Sequence, residues 1–271
     1  MRPGAFCGLA VCRLRAEPFA DTALSRDAFL GGAAQLLQPL DGYRAGTDPV
    51  LLAAATPASP GQAVMDLGCG GGAALVLLGV RVPGLSLTGV EVQPAYADLA
   101  RRNLALNGLE GLVAQADLTE LPAELRARSF DHVMANPPYF EKARRTVALD
   151  AGREVALAGE TPLDDWVAVA ARRLRPGGTA TFIQRAERLP DLLAAFCRHL
   201  GSVELLPLCG RLGRPPRLIL MRGRKQGRAA FRFHAPLVLH RDDPTLPNGY
   251  NYTDAAERLM RQPNPLPFPA D

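Results

Sequence analysis

Cysteine is scarce and scattered in this 271-residue chain. Cys7, Cys12, Cys69, Cys197 and Cys209 form no C-x-x-C pair, and none of the four histidines clusters with them. A disulfide framework and a zinc site are both disfavoured, and a reducing compartment, the cytoplasm, is expected. Long apolar runs are missing too. The longest aliphatic stretch, Ala73 to Val80, is far too short to span a bilayer, so neither a membrane span nor a bound metal is expected. Lysine occurs only twice, leaving 29 of the 31 basic residues as arginine. Acidic residues are absent from Leu205 to Arg241, where nine basic ones accumulate; with the whole chain at +4, the remainder carries −5. Such a block on an otherwise acidic molecule points to a polyanionic partner, nucleic acid foremost. Nothing in the composition fixes an oligomeric state, and a monomer is assumed.

What the sequence does contain is an apolar fraction of 48% arranged in alternating short runs. "GQAVMDLGCGGGAALVLLGV" reads as a buried strand, a glycine turn and an apolar helix; "LSLTGVEV" is a strand leading into the helix "PAYADLARRNLALNG", where Pro94 suits the first turn and Gly108 the position past the end. "GLVAQADL" and "FDHVMANP" are further strands, and "TPLDDWVAVAARRLRPGG" is a helix with Thr161 as its expected cap. This alternation predicts an α/β fold: a doubly wound, mostly parallel seven-stranded sheet with helices on both faces, preceded by a short hairpin and helix. The expected division is a frayed extension over 1–24, a hairpin and helix over 25–60, the main domain over 61–245, and a C-terminal helix with a proline-rich, loosely packed tail over 246–271.

Two motifs carry chemistry. In "DLGCGGGA", Gly68, Gly70 and Gly72 allow backbone angles and close approaches that side chains would block, and Glu91 follows 19 residues after Gly72, where a ribose-binding acid belongs. By itself the loop does not separate NAD from another adenosyl ligand, and Cys69 reads as a small filler. Asp66, Glu91, Asp117 and Asn136 all fall at strand ends, the place where open α/β sheets bind ligands. In "FDHVMANPPYF" two prolines stop a strand, fix φ and withhold backbone donors beside Asn136 and Tyr139.

"DLGCGGG", Glu91, Asp117 and "NPPY", in this order and spacing, resemble the class I S-adenosylmethionine-dependent methyltransferases that methylate amino groups. "GYRAGTDPVLLAA" upstream narrows the likeness to bacterial tRNA adenine-N6 methyltransferases acting at adenine 37 of a valine tRNA, over roughly residues 27 to 245, although Ala45 and Gly46 depart from their pattern. The resemblance implies S-adenosylmethionine as cofactor: Gly68, Gly70 and Gly72 cradling the methionine part, Asp66 near its ammonium, Glu91 on the ribose hydroxyls and Asp117 on the adenine. It implies transfer at Asn136, Pro137 and Tyr139, with Pro138 and Phe140 contacting an RNA substrate, most naturally tRNA. Lys142, Arg144 and Arg145 would grip phosphates at the mouth, with Tyr43 and Arg44 lining it or packing the hairpin. A protein glutamine N5-methyltransferase acting on release factors, or an rRNA or DNA N-methyltransferase, shares "NPPY" and is the alternative. An NAD enzyme or a binding module that merely shares the loop is a third reading, for which the sequence offers no hydride-transfer partner.

Overall fold

Strand Ala63–Leu67 (β3) is apolar on both faces except for Asp66 near its end, as expected of a strand covered on both sides. It lies in the middle of a sheet whose long strands run in the order β8-β9-β7-β6-β3-β4-β5. These are Ser86–Glu91 (β4), Gly111–Gln115 (β5), Phe130–Ala135 (β6), Leu174–Arg185 (β7), Gly201–Cys209 (β8) and Leu218–Arg224 (β9). All are parallel except β9, which runs antiparallel between β7 and β8. Two-residue strands, Arg232–Phe233 (β10) and Leu237–Val238 (β11), extend the β8 edge, so the seven expected strands gain two short additions. The structure, a computed structural model, describes residues 17–139, 161–242 and 251–268.

Helices Asp48–Ala55 (α1), Ala73–Arg81 (α2) and Pro94–Leu106 (α3) cover one face. The short Ala123–Ala127 (α4), with Leu163–Arg173 (α5) and Leu189–His199 (α6), covers the other. α1 is buried from Pro49 to Ala55 because Asp254–Arg261 (α7) closes over its outer side, which explains a helix that is apolar all round after Asp48. Thr161 does not cap α5: Pro162 takes the cap position and no side chain bonds the first turn, since Pro162 already supplies an extended entry. β3 connects rightward to β4, whereas the chain later returns to β6 on its other side. The carboxyl ends of β3 and β6 therefore flank the switch point of the sheet, where a crevice opens.

The hairpin is Leu24–Phe29 (β1) paired antiparallel with Ala34–Pro39 (β2). Its exposed edge is satisfied by two amides of α3. Asn103 accepts from the Leu37 N–H at 2.7 Å and donates to the Leu37 carbonyl at 3.0 Å; Asn107 does the same for Gln35 at 2.9 and 2.7 Å. Two side chains thus complete a strand edge that would otherwise stay open. Asn103 also donates to the Gly71 carbonyl at 2.9 Å, fastening hairpin and glycine turn to one helix.

Two expectations change at the termini. Residues 17–24 are not frayed: Phe19 is 3% exposed and packs edge-on against Tyr96 at 5.2 Å between ring centres, and Arg102 donates to the Phe19 carbonyl at 2.8 Å and pairs with Asp21 at 2.5 Å. The proline-rich tail is not loosely packed either. Leu266 donates to the Ala54 carbonyl at 2.8 Å, and Phe268, 7% exposed, lies under the Arg222 guanidinium at 4.0 Å. Proline withholds donors from this tail, and its apolar side chains still have a groove beside α1 to fill.

Candidate active site

The crevice at the switch point is a cavity of about 710 Å³. Its walls include the β2 end, the segment 43–49, the glycine turn, the β4 end at Glu91, Asp117 and the tetrapeptide 136–139. Tyr43, Asp66, Gly68, Gly70, Glu91, Asp117, Asn136, Pro137, Pro138 and Tyr139, all singled out from the sequence, converge here. Phe140, Lys142, Arg144 and Arg145 lie outside the described residues.

Of the three glycines singled out, Gly68 and Gly70 line the cavity and Gly72 does not: it sits against α3, where a Cβ would stand 3.0 Å from Ala100. Gly68, Gly70 and Gly72 all adopt positive φ (64°, 54° and 79°), a conformation other residues adopt only with strain. A Cβ on Gly68 would stand 2.5 Å from the Trp166 ring, whereas one on Gly70 would meet nothing within 4 Å. Gly68 is therefore needed for packing, and Gly70 faces open space at the cavity. Cys69 is a buried filler against Gly89, its thiol pushed well up by burial, with Asp66 and Glu91 adding to the shift.

Glu91 is buried and held from both sides. Its Oε2 accepts from the Gly70 N–H and its Oε1 from the Gln93 N–H, each at 2.9 Å. Burial raises its pKa, and these backbone donors offset part of that rise. Asp66 is 2% exposed and has neither hydrogen bond nor ion pair among the described residues. Burial, reinforced by Glu91, lifts its carboxyl well above the usual carboxylate range. Asp117 is exposed and caps a short turn, its Oδ1 accepting from the Thr119 N–H at 2.8 Å and hydroxyl at 2.7 Å, which leaves Oδ2 open.

Around the tetrapeptide, the Asn136 Oδ1 is buried with no hydrogen-bond partner, and so is the Gln93 Oε1 on the same cavity wall. Buried polar atoms without partners are few in proteins, because each costs the lost hydration. Here two such acceptors belong to residues of one cavity wall. The Pro137 carbonyl accepts from Gln184 Nε2 at 3.3 Å, long for such a bond and using one of its two lone pairs. Tyr139 donates its hydroxyl to Asp48 on the first turn of α1, and the Arg185 guanidinium lies over its ring at 5.3 Å. Arg44 both lines the cavity and packs the hairpin. Its guanidinium is consumed by the hairpin, donating to Pro39 O at 2.8 Å, Ser25 Oγ at 3.0 Å and Asp27 Oδ2 at 2.6 Å.

The model of the methyltransferase small domain family matches residues 45–205, more than half of the chain. The chain belongs to that family. Among curated relatives of this methyltransferase is the tRNA1(Val) (adenine(37)-N6)-methyltransferase of Porphyromonas gingivalis, 31% identical over 73% of this chain and 81% of that one. The Haemophilus influenzae protein of the same name is 26% identical over 80% and 90% respectively. Among solved structures, a predicted O-methyltransferase from Agrobacterium tumefaciens superposes with a TM-score of 0.65 at 26% identity, covering 81% of this chain and 98% of that one. The methyltransferase thus shares its fold with the Agrobacterium tumefaciens structure and most of its span with the curated relatives.

Sequence reasoning missed Asp48 and Gln184 as site residues of the methyltransferase. Asp48 was legible only as a helix start, since nothing in the sequence shows that a residue 91 positions from Tyr139 meets it. Gln184 gave a usable signal: a polar residue directly after the apolar pair Phe182–Ile183, near the carboxyl end of a strand. Among the described residues, no helix is long and apolar enough to cross a membrane, and no group of three or more His, Cys, Asp or Glu is placed to hold a metal.

Proposed function

We propose that this protein methylates the exocyclic N6 amino group of an adenine in tRNA, with S-adenosylmethionine as the methyl donor. The observation that carries the reading is the orphaned Asn136 Oδ1, buried on the wall of the cavity that also holds the glycine turn and Glu91. The curated relatives named above support the substrate class.

The residues present fit the cofactor. Gly70 leaves space for a ligand to approach the backbone, and Asp66 is a buried carboxyl awaiting a cation. Glu91, rigidly held by two backbone donors, keeps lone pairs for vicinal hydroxyls, and Asp117 Oδ2 remains open to an amine. Bound there, S-adenosylmethionine supplies a methyl carbon made electrophilic by its sulfonium.

The chain's own part is to prepare the nucleophile. An adenine amino group is a weak one, because its lone pair is delocalised into the ring. Asn136 Oδ1 accepts one amino hydrogen and the Pro137 carbonyl, oriented by Gln184, accepts the other; both draw the nitrogen toward tetrahedral geometry and free its lone pair. Pro138 has no N–H to compete for those acceptors. Tyr139, one face under Arg185 and its hydroxyl held by Asp48, offers the remaining face for stacking, a contact worth ~1–3 kcal/mol per base. No general base is required for the attack, since the nitrogen sheds its proton readily once alkylated. Holding nucleophile and electrophile in line can supply ~7–11 kcal/mol of the barrier.

The test is incubation with unmodified tRNA and S-adenosylmethionine, followed by mass spectrometry of the nucleosides. N6-methyladenosine should form with the native protein and be lost with Asn136→Ala. Full activity of that variant, or labelling of a release factor in place of tRNA, would overturn the reading.

A further inference from the structure

The basic block that is continuous in sequence is split by the fold. Because β9 runs antiparallel, it carries the chain from one end of the sheet to the other. Arg211, Arg214 and Arg217 lie on the β8–β9 turn, at the carboxyl ends of the parallel strands. Arg224, Lys225 and Arg228 lie at the opposite end, where Arg224 Nε donates to the Gly177 carbonyl at 2.9 Å and Lys225 Nζ to that of Leu174 at 2.7 Å. These two complete the strand ends there and serve structure. Between the ends, Arg222 turns inward to the Ala55 carbonyl at 2.5 Å and the Phe268 ring, its pKa lowered to about 10 by burial.

The turn at the cavity end is different. Arg214 and Arg217 are exposed, and their side chains make no hydrogen bond or ion pair among the described residues. Arg211 has only a loose contact, 3.8 Å, with Asp242. Leu212 between them is 79% exposed, so the turn stands out from the surface. The turn also adjoins the tetrapeptide. Ala186 N–H donates to the Arg217 carbonyl at 2.9 Å, and the preceding residue, Arg185, covers the Tyr139 ring.

We propose that the β8–β9 turn grips the phosphate backbone of the RNA substrate, through Arg214 and Arg217 with Arg211 beside them, while the target adenine occupies the cavity. This rests on the RNA reading above and deepens it. Two uncommitted guanidiniums beside the acceptor tetrapeptide meet the phosphates flanking an extruded base, and such contacts set register without reading sequence. No atom transfer occurs at the turn; its contribution is affinity and placement.

The experiment measures tRNA methylation kinetics at several salt concentrations for the native protein, for Arg214→Ala/Arg217→Ala and for Arg228→Ala. The double variant should raise KM for tRNA roughly tenfold and flatten the salt dependence of binding by about one unit of log–log slope per arginine lost. Its kcat and its calorimetric affinity for S-adenosylmethionine should be unchanged, and Arg228→Ala should match the native protein. Native KM and salt slope in the double variant, with the native protein methylating tRNA, would sink the turn as a grip and leave the RNA reading standing. An equal loss in Arg228→Ala would also sink it, by moving the grip to the far end. Failure of the native protein to methylate any tRNA would overturn both.

Discussion

Asp66 and Asp131 sit on the adjacent parallel strands β3 and β6, at opposite ends of the sheet, and both are buried. Asp131, at the amino end, is fully engaged: it pairs with Arg175 at 2.6 Å and accepts from the Ala63 N–H at 2.8 Å. Asp66, at the carboxyl end, has no such partner among the described residues. The same residue type at similar depth is thus satisfied where the sheet only needs closing and left unsatisfied on the cavity wall. Nearby His132 extends the contrast. It bonds Gln62 at 2.9 Å and its pKa falls to about 4, chiefly by burial, so it stays neutral and structural.

The largest effect expected from breaking this contrast is at the tetrapeptide. Asn136→Ala should lower kcat by about 10²–10³, the usual cost of losing one oriented polar group at a reacting atom, with the fold intact by circular dichroism. Next come the two aspartates. Asp66→Ala should weaken S-adenosylmethionine binding about 10–100-fold by calorimetry, while the unliganded protein loses no stability. Asp131→Ala should leave that affinity alone and cost about 2 kcal/mol in denaturant unfolding.

Asp66 also sets a pH dependence. Its folded pKa is raised, so the stability that its neutral form contributes is fully present below the unfolded value of 3.8 and drains away as pH rises through the folded value. Unfolding of the unliganded protein, followed from pH 4 upward, should show this decline. Asp66→Asn should make it shallower, leaving the part due to Glu91, whose shift has the same sign.

A smaller effect belongs to the Tyr139–Asp48 bond. Tyr139→Phe and Asp48→Ala should each cost roughly tenfold in kcat, and the double variant little more than either, because both remove one contact. Smallest is the glycine pair. Gly70→Ala should keep the fold, at about 1–2 kcal/mol of backbone strain, and weaken cofactor binding several-fold. Gly68→Ala should add overpacking against Trp166, about 1–3 kcal/mol, seen in thermal melts.

Much of the site was legible because its residues sit where local patterns end. An apolar run that stops at Asp66 before three glycines, and another that stops at Asn136 before two prolines, mark strand ends whatever the tertiary context. The latch from Asp48, the support from Gln184 and the docking of the hairpin by Asn103 and Asn107 were not legible in the same way. Amides on a helix read as an ordinary polar face, and only the packed structure shows them completing a strand edge. The basic block misled as a unit, since sequence proximity does not reveal that one antiparallel strand parts its ends.

Periodicity, turn chemistry and the placement of acids at strand ends are properties of short segments, and by themselves they pointed to the doubly wound sheet and to the residues that line its cavity. Which orphaned groups share one cavity, which arginines remain uncommitted and what holds Tyr139 were decided only by tertiary structure. Each of these depends on contacts between residues tens of positions apart, and a linear pattern carries no record of such distances.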